Sequence, residues 1–234
     1  MSHATTFTWL GHSAMRIDTP SGTRLYVDPF LNGNPSCPAD EVEPERCDLI
    51  AVTHGHGDHV GDTIALHQRF GCPVVAQVEL RGWLGENGVA DTGMTHAINK
   101  GGTATVGDVR LTLTHANHSS TAPDGTPVGE SCGFVIRPEG GKTIYVAGDT
   151  SMSTDMSLIG RLYKPDVAVI PIGDHFTMGP DEAAIAAELI GASRVIPVHW
   201  GAFPITTGTP DRLAALLPAG IGVLSLTPGA PVEL

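Results

Sequence analysis

Apolar residues fall in short runs bounded by Gly, Pro, Asn and Asp, the pattern of strands and short helices joined by turns. Residues 5–30 read as a β-meander. Thr6-Phe7-Thr8-Trp9-Leu10 leads to a Gly11-His12-Ser13 turn, 14–18 follows, and Pro20-Ser21-Gly22 turns into Arg24-Leu25-Tyr26-Val27, closed by Asp28-Pro29. Residues 31–46, rich in Pro, Asn and Glu, predict a long loop. The run at 48–53 predicts a strand buried on both faces. It empties into a helix over 58–70, which Gly71 stops before a strand at 73–77. Gly82 and Gly85 interrupt a further helical stretch at 79–88. Beyond it, strands are expected near 103–106, 109–115, 132–137, 143–147 and 166–171. A helix at 181–190 is marked by Pro180, Asp181 and Glu182 at its start and Gly191 at its end. A strand at 194–198, a short helix at 211–217 and a strand at 222–226 complete the series.

The two halves, about 1–100 and 101–234, each run strands first and helices later. That order suggests one α/β domain of two sheets packed face to face with helices outside, each half giving loops to a common rim. Periodicity alone leaves a doubly wound single sheet open. A hydrophobic fraction of 41% is enough for a core, and the 29 Gly and 18 Pro fall between the apolar runs as turns.

Charge removes several function classes. The net charge is −12, the three lysines are Lys100, Lys142 and Lys164, and the arginines are scattered. Without a basic patch to release counterions, nucleic acid is not an expected partner. No apolar run approaches the ~18 residues of a membrane span. The first residues, Met1 to Thr6, have neither a basic nor an apolar leader region, so a cytoplasmic location is expected. The four cysteines lack Cys-x-x-Cys spacing. Cys37 and Cys47 bracket a loop, but free thiols are the expected state. The apolar turn Phe203-Pro204-Ile205 is a candidate contact for a pocket or for a second copy in a homo-oligomer.

The candidate chemistry is concentrated in Thr53-His54-Gly55-His56-Gly57-Asp58-His59, where four metal-ligand side chains follow a buried strand and open a helix. His54 and His56, two apart in extended chain, point to one side. Gly55 and Gly57 permit the tight path that returns Asp58 and His59 to the same place. Imidazoles with a carboxylate suit Zn, Mn, Fe or Ni, and no nearby thiolate argues for a structural zinc. The glycine pairs lack the context of a dinucleotide loop, and Ser119 and Ser120 lie in no Gly-x-Ser-x-Gly elbow.

This segment resembles the His-x-His-x-Asp-His signature of the metallo-β-lactamase superfamily. Later motifs follow in the superfamily's order: Thr114-His115-Ala116-Asn117-His118-Ser119-Ser120, Ala147-Gly148-Asp149-Thr150 and Pro197-Val198-His199-Trp200, each after a predicted strand. The resemblance implies an αβ/βα four-layer sandwich and two adjacent divalent metals, Zn2+ first, with Mn2+, Ni2+ or Fe as alternatives. His54, His56 and His118 would hold one, Asp58, His59 and His199 the other, with Asp149 bridging. His118 is preferred to the nearby His115 because it matches the family's Gly-His-Thr position.

Three further segments resemble the branch of small hydrolases related to ascorbate-6-phosphate lactonases: Trp9-Leu10-Gly11-His12-Ser13-Ala14, Val27-Asp28-Pro29-Phe30 and Pro171-Ile172-Gly173-Asp174-His175-Phe176-Thr177-Met178-Gly179. Asp28 is a candidate to orient a ligand histidine, or a turn cap before Pro29. His12, Asp174 and His175 are candidate substrate contacts, or polar turn residues. The expected function is hydrolysis of a small-molecule ester, lactone or phosphoester by metal-activated water, with Asp58 and Asp149 in catalytic roles. A mononuclear iron dioxygenase and a non-catalytic metal or ligand-binding protein are the alternatives.

Overall fold

A computed structural model describes residues 4–90 and 95–234. The first three residues, on which the reading of the N-terminus partly rests, lie outside that description. In the first half, β1 (Thr6–Trp9), β2 (Met15–Asp18) and β3 (Arg24–Val27) form the expected meander. β4 (Leu49–Ala51), β5 (Val74–Gln77) and β6 (Ala97–Ile98) extend it, interleaved with α1 (Gly57–Val60), α2 (Thr63–Phe70) and α3 (Val78–Glu86). The second half contains β7 (Thr103–Val106), β8 (Val109–His115), β9 (Cys132–Pro138) and β10 (Ile144–Val146). Then come α4 (Asp155–Tyr163), β11 (Val167–Pro171), α5 (Pro180–Ile190), β12 (Arg194–Val198), α6 (Pro210–Leu216) and β13 (Gly222–Val223). A last strand, β14 (Pro231–Glu233), returns to pair with β1 at the edge of the first sheet.

The sheets run β14-β1-β2-β3-β4-β5-β6 and β13-β12-β11-β10-β9-β8-β7. Their facing sides interdigitate: Phe7, Ile17, Leu25, Val27 and Ala51 of one pack with Leu111, Leu113, Phe134, Val146, Val169 and Ile196 of the other. The opposite face of the first sheet, with Tyr26, Ile50 and Val74, is covered by Leu66, Leu80 and Leu84 of α2 and α3. That of the second, with Val135, Tyr145, Ala168 and Ile170, is covered by Met156, Ile159, Ala183 and Ala187 of α4 and α5. The architecture is therefore α/β with four layers, and the central strands read as unbroken apolar runs because both of their faces are buried.

This topology sets a common edge. β3, β4 and β5 are parallel, as are β10, β11 and β12, and β8 runs parallel to β10 through the antiparallel β9. The segments that leave the C-terminal ends of β3, β4, β8, β10 and β12 thus emerge on one rim, where open α/β sheets place their ligands. No helix among the described residues is long and apolar enough to cross a membrane.

Several elements differ from the sequence reading. The helix expected over 58–70 is two helices. Gly61 breaks it at φ 43°, where a Cβ would lie 2.5 Å from the Pro29 carbonyl, and Asp62 turns to accept the Leu31 and Asn32 amides. α4 was not expected, because Gly160 interrupts its apolar pattern. That glycine is there for space, since a Cβ would overlap the Ile190 carbonyl at the end of α5. The short β6 and β14 carry no periodic signal, and the last predicted strand shortens to two residues. All four cysteines are free, with Cys47 Sγ 3.5 Å from Cys72 Sγ rather than beside Cys37.

Candidate metal centre

β4 ends at Ala51, and the chain passes through buried Val52 and Thr53 into buried His54. Gly55 fits only without a side chain, because a Cβ would overlap Val128 and press on the Thr121 backbone at 3.1 Å. Its amide donates to Ser120 Oγ at 3.1 Å. α1 then carries Asp58 and His59 back toward His54, whose ring centroid lies 4.0 Å from that of His59.

The distant candidates converge on the same place. His54 Nε2 and His56 Nδ1 stand 3.0 Å apart, and His118 closes a triangle whose rings are 4.7 to 5.2 Å apart and close to perpendicular. Asp149, at the end of β10, places Oδ2 3.3 Å from His59 Nε2, 3.1 Å from His199 Nε2 and 3.8 Å from His118 Nε2. Asp58 Oδ2 lies 3.9 Å from His59 Nε2 and 4.0 Å from His199 Nε2. Three overlapping groups result, each with ligand atoms within 4.8 Å of one another: His54, His56 and His118; His54, His59 and Asp149; and His12, Asp58, His59 and His199.

Buried neighbours fix the orientation of these side chains. Asp28, buried at the end of β3, accepts from Thr53 N at 2.8 Å and Thr53 Oγ1 at 2.7 Å, and its Oδ2 lies 2.8 Å from His59 Nδ1. It therefore fixes the His59 ring with Nε2 turned to Asp149, as a metal-bound imidazole requires. Thr53, which the sequence reading passed over, also lies with Oγ1 3.0 Å from His54 Nδ1. The only hint of it in the sequence was its position before His54. His12 is buried, with Nε2 3.0 Å from Asp58 Oδ2 and its ring 4.0 Å from that of His199. The His199 amide donates to the His12 carbonyl at 2.9 Å.

His115 stays outside the cluster, exposed beside Lys100 Nζ at 3.2 Å. Asp174 and His175 are exposed in the loop after β11, where Asp174 Oδ1 accepts the His175 amide. Neither belongs to a ligand group. Both are nevertheless in the left-handed backbone region. The six non-glycine residues found there among the described ones are His12, Asp28, Asp174, His175, His199 and the α4 cap Lys164. Such strain persists where surrounding structure over-determines it, and five of the six are on the site's loops.

The electrostatics fit a cation. Burial holds His54, His56, His118 and His12 below the ordinary imidazole pKa. Burial works against His59 too, yet Asp149 and Asp28 hold it well above that value. Burial likewise opposes ionisation of Asp149 and Asp58. His59, with His199 beside it, holds Asp149 well below the carboxylate range, and the His12 hydrogen bond and His59 lower Asp58. The result is a set of neutral imidazoles and ionised carboxylates around one imidazole, His59, held protonated by Asp149 and Asp28, whose proton a bound cation would displace. His59 Nε2 and Asp149 Oδ1 are buried without a hydrogen bond. Orphaned donors and acceptors of this kind cost stability unless something binds them, and a divalent ion coordinated by oxygen and nitrogen does so.

Comparison with known proteins agrees. Residues 23–200 match the family model of the β-lactamase superfamily domain. The chain is 44% identical over 238 residues to a UPF0173 metal-dependent hydrolase of Roseiflexus sp. (strain RS-1), covering 98% of this chain and 97% of the relative. It is 41% identical over 237 residues to one from Methanosarcina mazei, covering 97% of each. The solved structure of Igni18, a metallo hydrolase from Ignicoccus hospitalis, superposes with a TM-score of 0.86 at 30% identity over 98% of both chains. The chain thus belongs to the metallo-β-lactamase superfamily, among its UPF0173 metal-dependent hydrolases.

Proposed function

We propose that this hydrolase cleaves a small-molecule ester, lactone or phosphoester at a dinuclear centre, with Zn2+ the best-suited ion and Mn2+, Ni2+ or Fe as substitutes. The observation that carries the reading is the position of Asp149 Oδ2, within 4 Å of His118 on one side and of His59 and His199 on the other. His54, His56 and His118 would hold one ion, Asp58, His59 and His199 the second, and Asp149 would lie between them. Bound divalent ions lower the pKa of a water from 15.7 toward about 7 and polarise the scissile oxygen.

The chain's own residues do the rest. Asp58, partly open to solvent beside buried neighbours, would offer one oxygen to a metal and is placed to orient the attacking water or accept its proton. His12, kept neutral by burial, carries its proton on Nε2 and donates to Asp58 Oδ2, which fixes the rotation of that carboxylate. Its ring lies tilted against that of His199 at 4.0 Å, and its Nε2 is spent on Asp58. His12 is therefore read as a positioning residue and not as a further ligand. No protein nucleophile is needed, and the partner is a small molecule rather than nucleic acid or membrane.

The iron dioxygenase alternative needs one metal, whereas the side chains offer three overlapping groups of ligands, more than one ion uses. Metal-reconstituted protein is expected to hydrolyse members of an ester, lactone and phosphoester panel without consuming oxygen. Asp149→Ala and His56→Ala should lose metal and activity together. Full hydrolysis by a metal-free variant would sink the reading.

A further inference from the structure

The eight large apolar side chains exposed among the described residues fall into two sets. Leu158, Leu162, Ile185 and Leu216 lie on the outer helices α4, α5 and α6. Met152, Phe176, Phe203 and Ile205 lie on the loops after β10, β11 and β12, and are 41%, 55%, 37% and 45% exposed. Those are the loops that carry or adjoin Asp149 and His199. They are tied to one another: Met178 N donates to Thr150 O at 3.2 Å and Gly208 N to Gly173 O at 3.4 Å. The Phe203 ring meets His12 edge-on at 5.3 Å, so the set touches the cluster through Phe203.

Charge on the same rim is one-sided. None of the segments that build the site, residues 10–14, 28–34, 52–60, 115–131, 147–154, 172–179 and 199–209, contains Lys or Arg. Lys100, next to the 115–131 segment, is engaged with Glu130 at 2.9 Å and with His115. Recognition of a phosphate group away from the reacting bond commonly uses a guanidinium or an ammonium. Here the exposed carboxylate of Asp174 sits two residues from Phe176 instead. Exposed apolar side chains on the loops beside a polar centre are the pattern of a ligand groove.

We infer that the substrate is a neutral carboxylic ester or lactone bearing an alkyl or aryl group, which lies on Phe176, Phe203, Ile205 and Met152 while its carbonyl meets the cluster. This deepens the hydrolase reading and rests on it. The reaction is redox-neutral. A water oxygen bonds to the carbonyl carbon, the bond from that carbon to the alkoxy oxygen breaks, and a water proton ends on the leaving alkoxide.

The test uses the zinc-loaded full chain with p-nitrophenyl acetate, butyrate, hexanoate and octanoate, alkyl-substituted γ-lactones, and mono- and bis-p-nitrophenyl phosphate. Expected is a kcat/KM that rises about two- to fourfold per methylene over the first several carbons, the gain of burying each CH2 partly or fully. Phosphate esters should be the poorest substrates, and Phe203→Ser with Phe176→Ser should flatten the chain-length slope. A flat slope in the wild type, or preferred turnover of phosphate esters, overturns the inference while hydrolysis itself stands. If nothing in the panel is cleaved, the hydrolase reading fails, and alkyl hydroxamates of two to eight carbons decide the apolar site by calorimetry. Affinity that climbs with chain length supports it, and constant affinity overturns it.

Discussion

Replacing Asp28 by Asn tests the scaffold behind the cluster, because it removes a charge without changing size or the tolerance for positive φ. The carboxylate takes three polar contacts, from Thr53 N, Thr53 Oγ1 and His59 Nδ1, at 2.7 to 2.8 Å. An amide has one acceptor and one donor end, so it cannot serve all three. With its oxygen toward Thr53 N, its NH2 faces His59 Nδ1. That ring must then accept there and carry its proton on Nε2, the nitrogen meant for metal. With its oxygen toward His59, its NH2 faces the Thr53 amide and leaves a buried N–H unpaired, at a cost of about 1–3 kcal/mol. The first arrangement keeps the fold and should weaken metal binding about 10–100-fold, roughly 1.4–2.7 kcal/mol. The second keeps the tautomer and lowers stability by the amide's cost. Chelator competition reads the first, denaturant unfolding of metal-free protein the second, and 15N shifts of the His59 ring distinguish them. An Asp28→Asn protein within twofold of wild type in metal affinity and equal in stability would refute the reasoning.

Other outcomes follow from neighbouring contacts. His12→Phe keeps a ring against His199 but loses the bond to Asp58. Affinity at the Asp58 and His199 group should fall about tenfold while the His54, His56 and His118 group is unchanged, and His12→Gln should recover part of it, as competition titrations with two resolved sites will show. Gly173→Ala would drive a Cβ into the His199 carbonyl and to 3.1 Å from its Nδ1. A loss of about 1–3 kcal/mol in stability together with weaker metal binding is expected. The pH profile of metal-free protein should fall on both sides of neutrality. Below about 6.5 the unfolded chain takes up protons that His12, His54, His56 and His118 refuse when folded. On the alkaline side, stability is lost as pH rises through the raised pKa of His59, so His59→Gln should remove that arm. A melting temperature flat from pH 5 to 9 would contradict these assignments.

Much of the fold was legible in the chain because central strands of a double sandwich are apolar on both sides, and their ends are marked by Gly, Pro and Asp. What escaped notice depended on contacts distant in sequence. The glycines at 61 and 160 look alike locally, yet one ends a helix against Pro29 and the other lets α4 approach α5. The ligand candidates were legible by motif and order, and the structure brings His54, His56, Asp58, His59, His118, Asp149 and His199 together. The roles of Asp28 and His12 were ambiguous in sequence, since a turn-capping carboxylate and a carboxylate behind a histidine look the same until the chain closes. Thr53 gave no separate signal, and Asp174 and His175 face solvent.

The central claim is that two adjoining ligand groups share Asp149 and hold two ions. X-ray absorption on zinc-equilibrated protein, with metal content measured on the same sample, tests it most directly. A centre of two ions gives two equivalents per chain and a metal–metal vector of about 3.5–4 Å, and Asp149→Asn loses that vector. One equivalent per chain with no metal–metal scattering, in protein that is fully active, would contradict it.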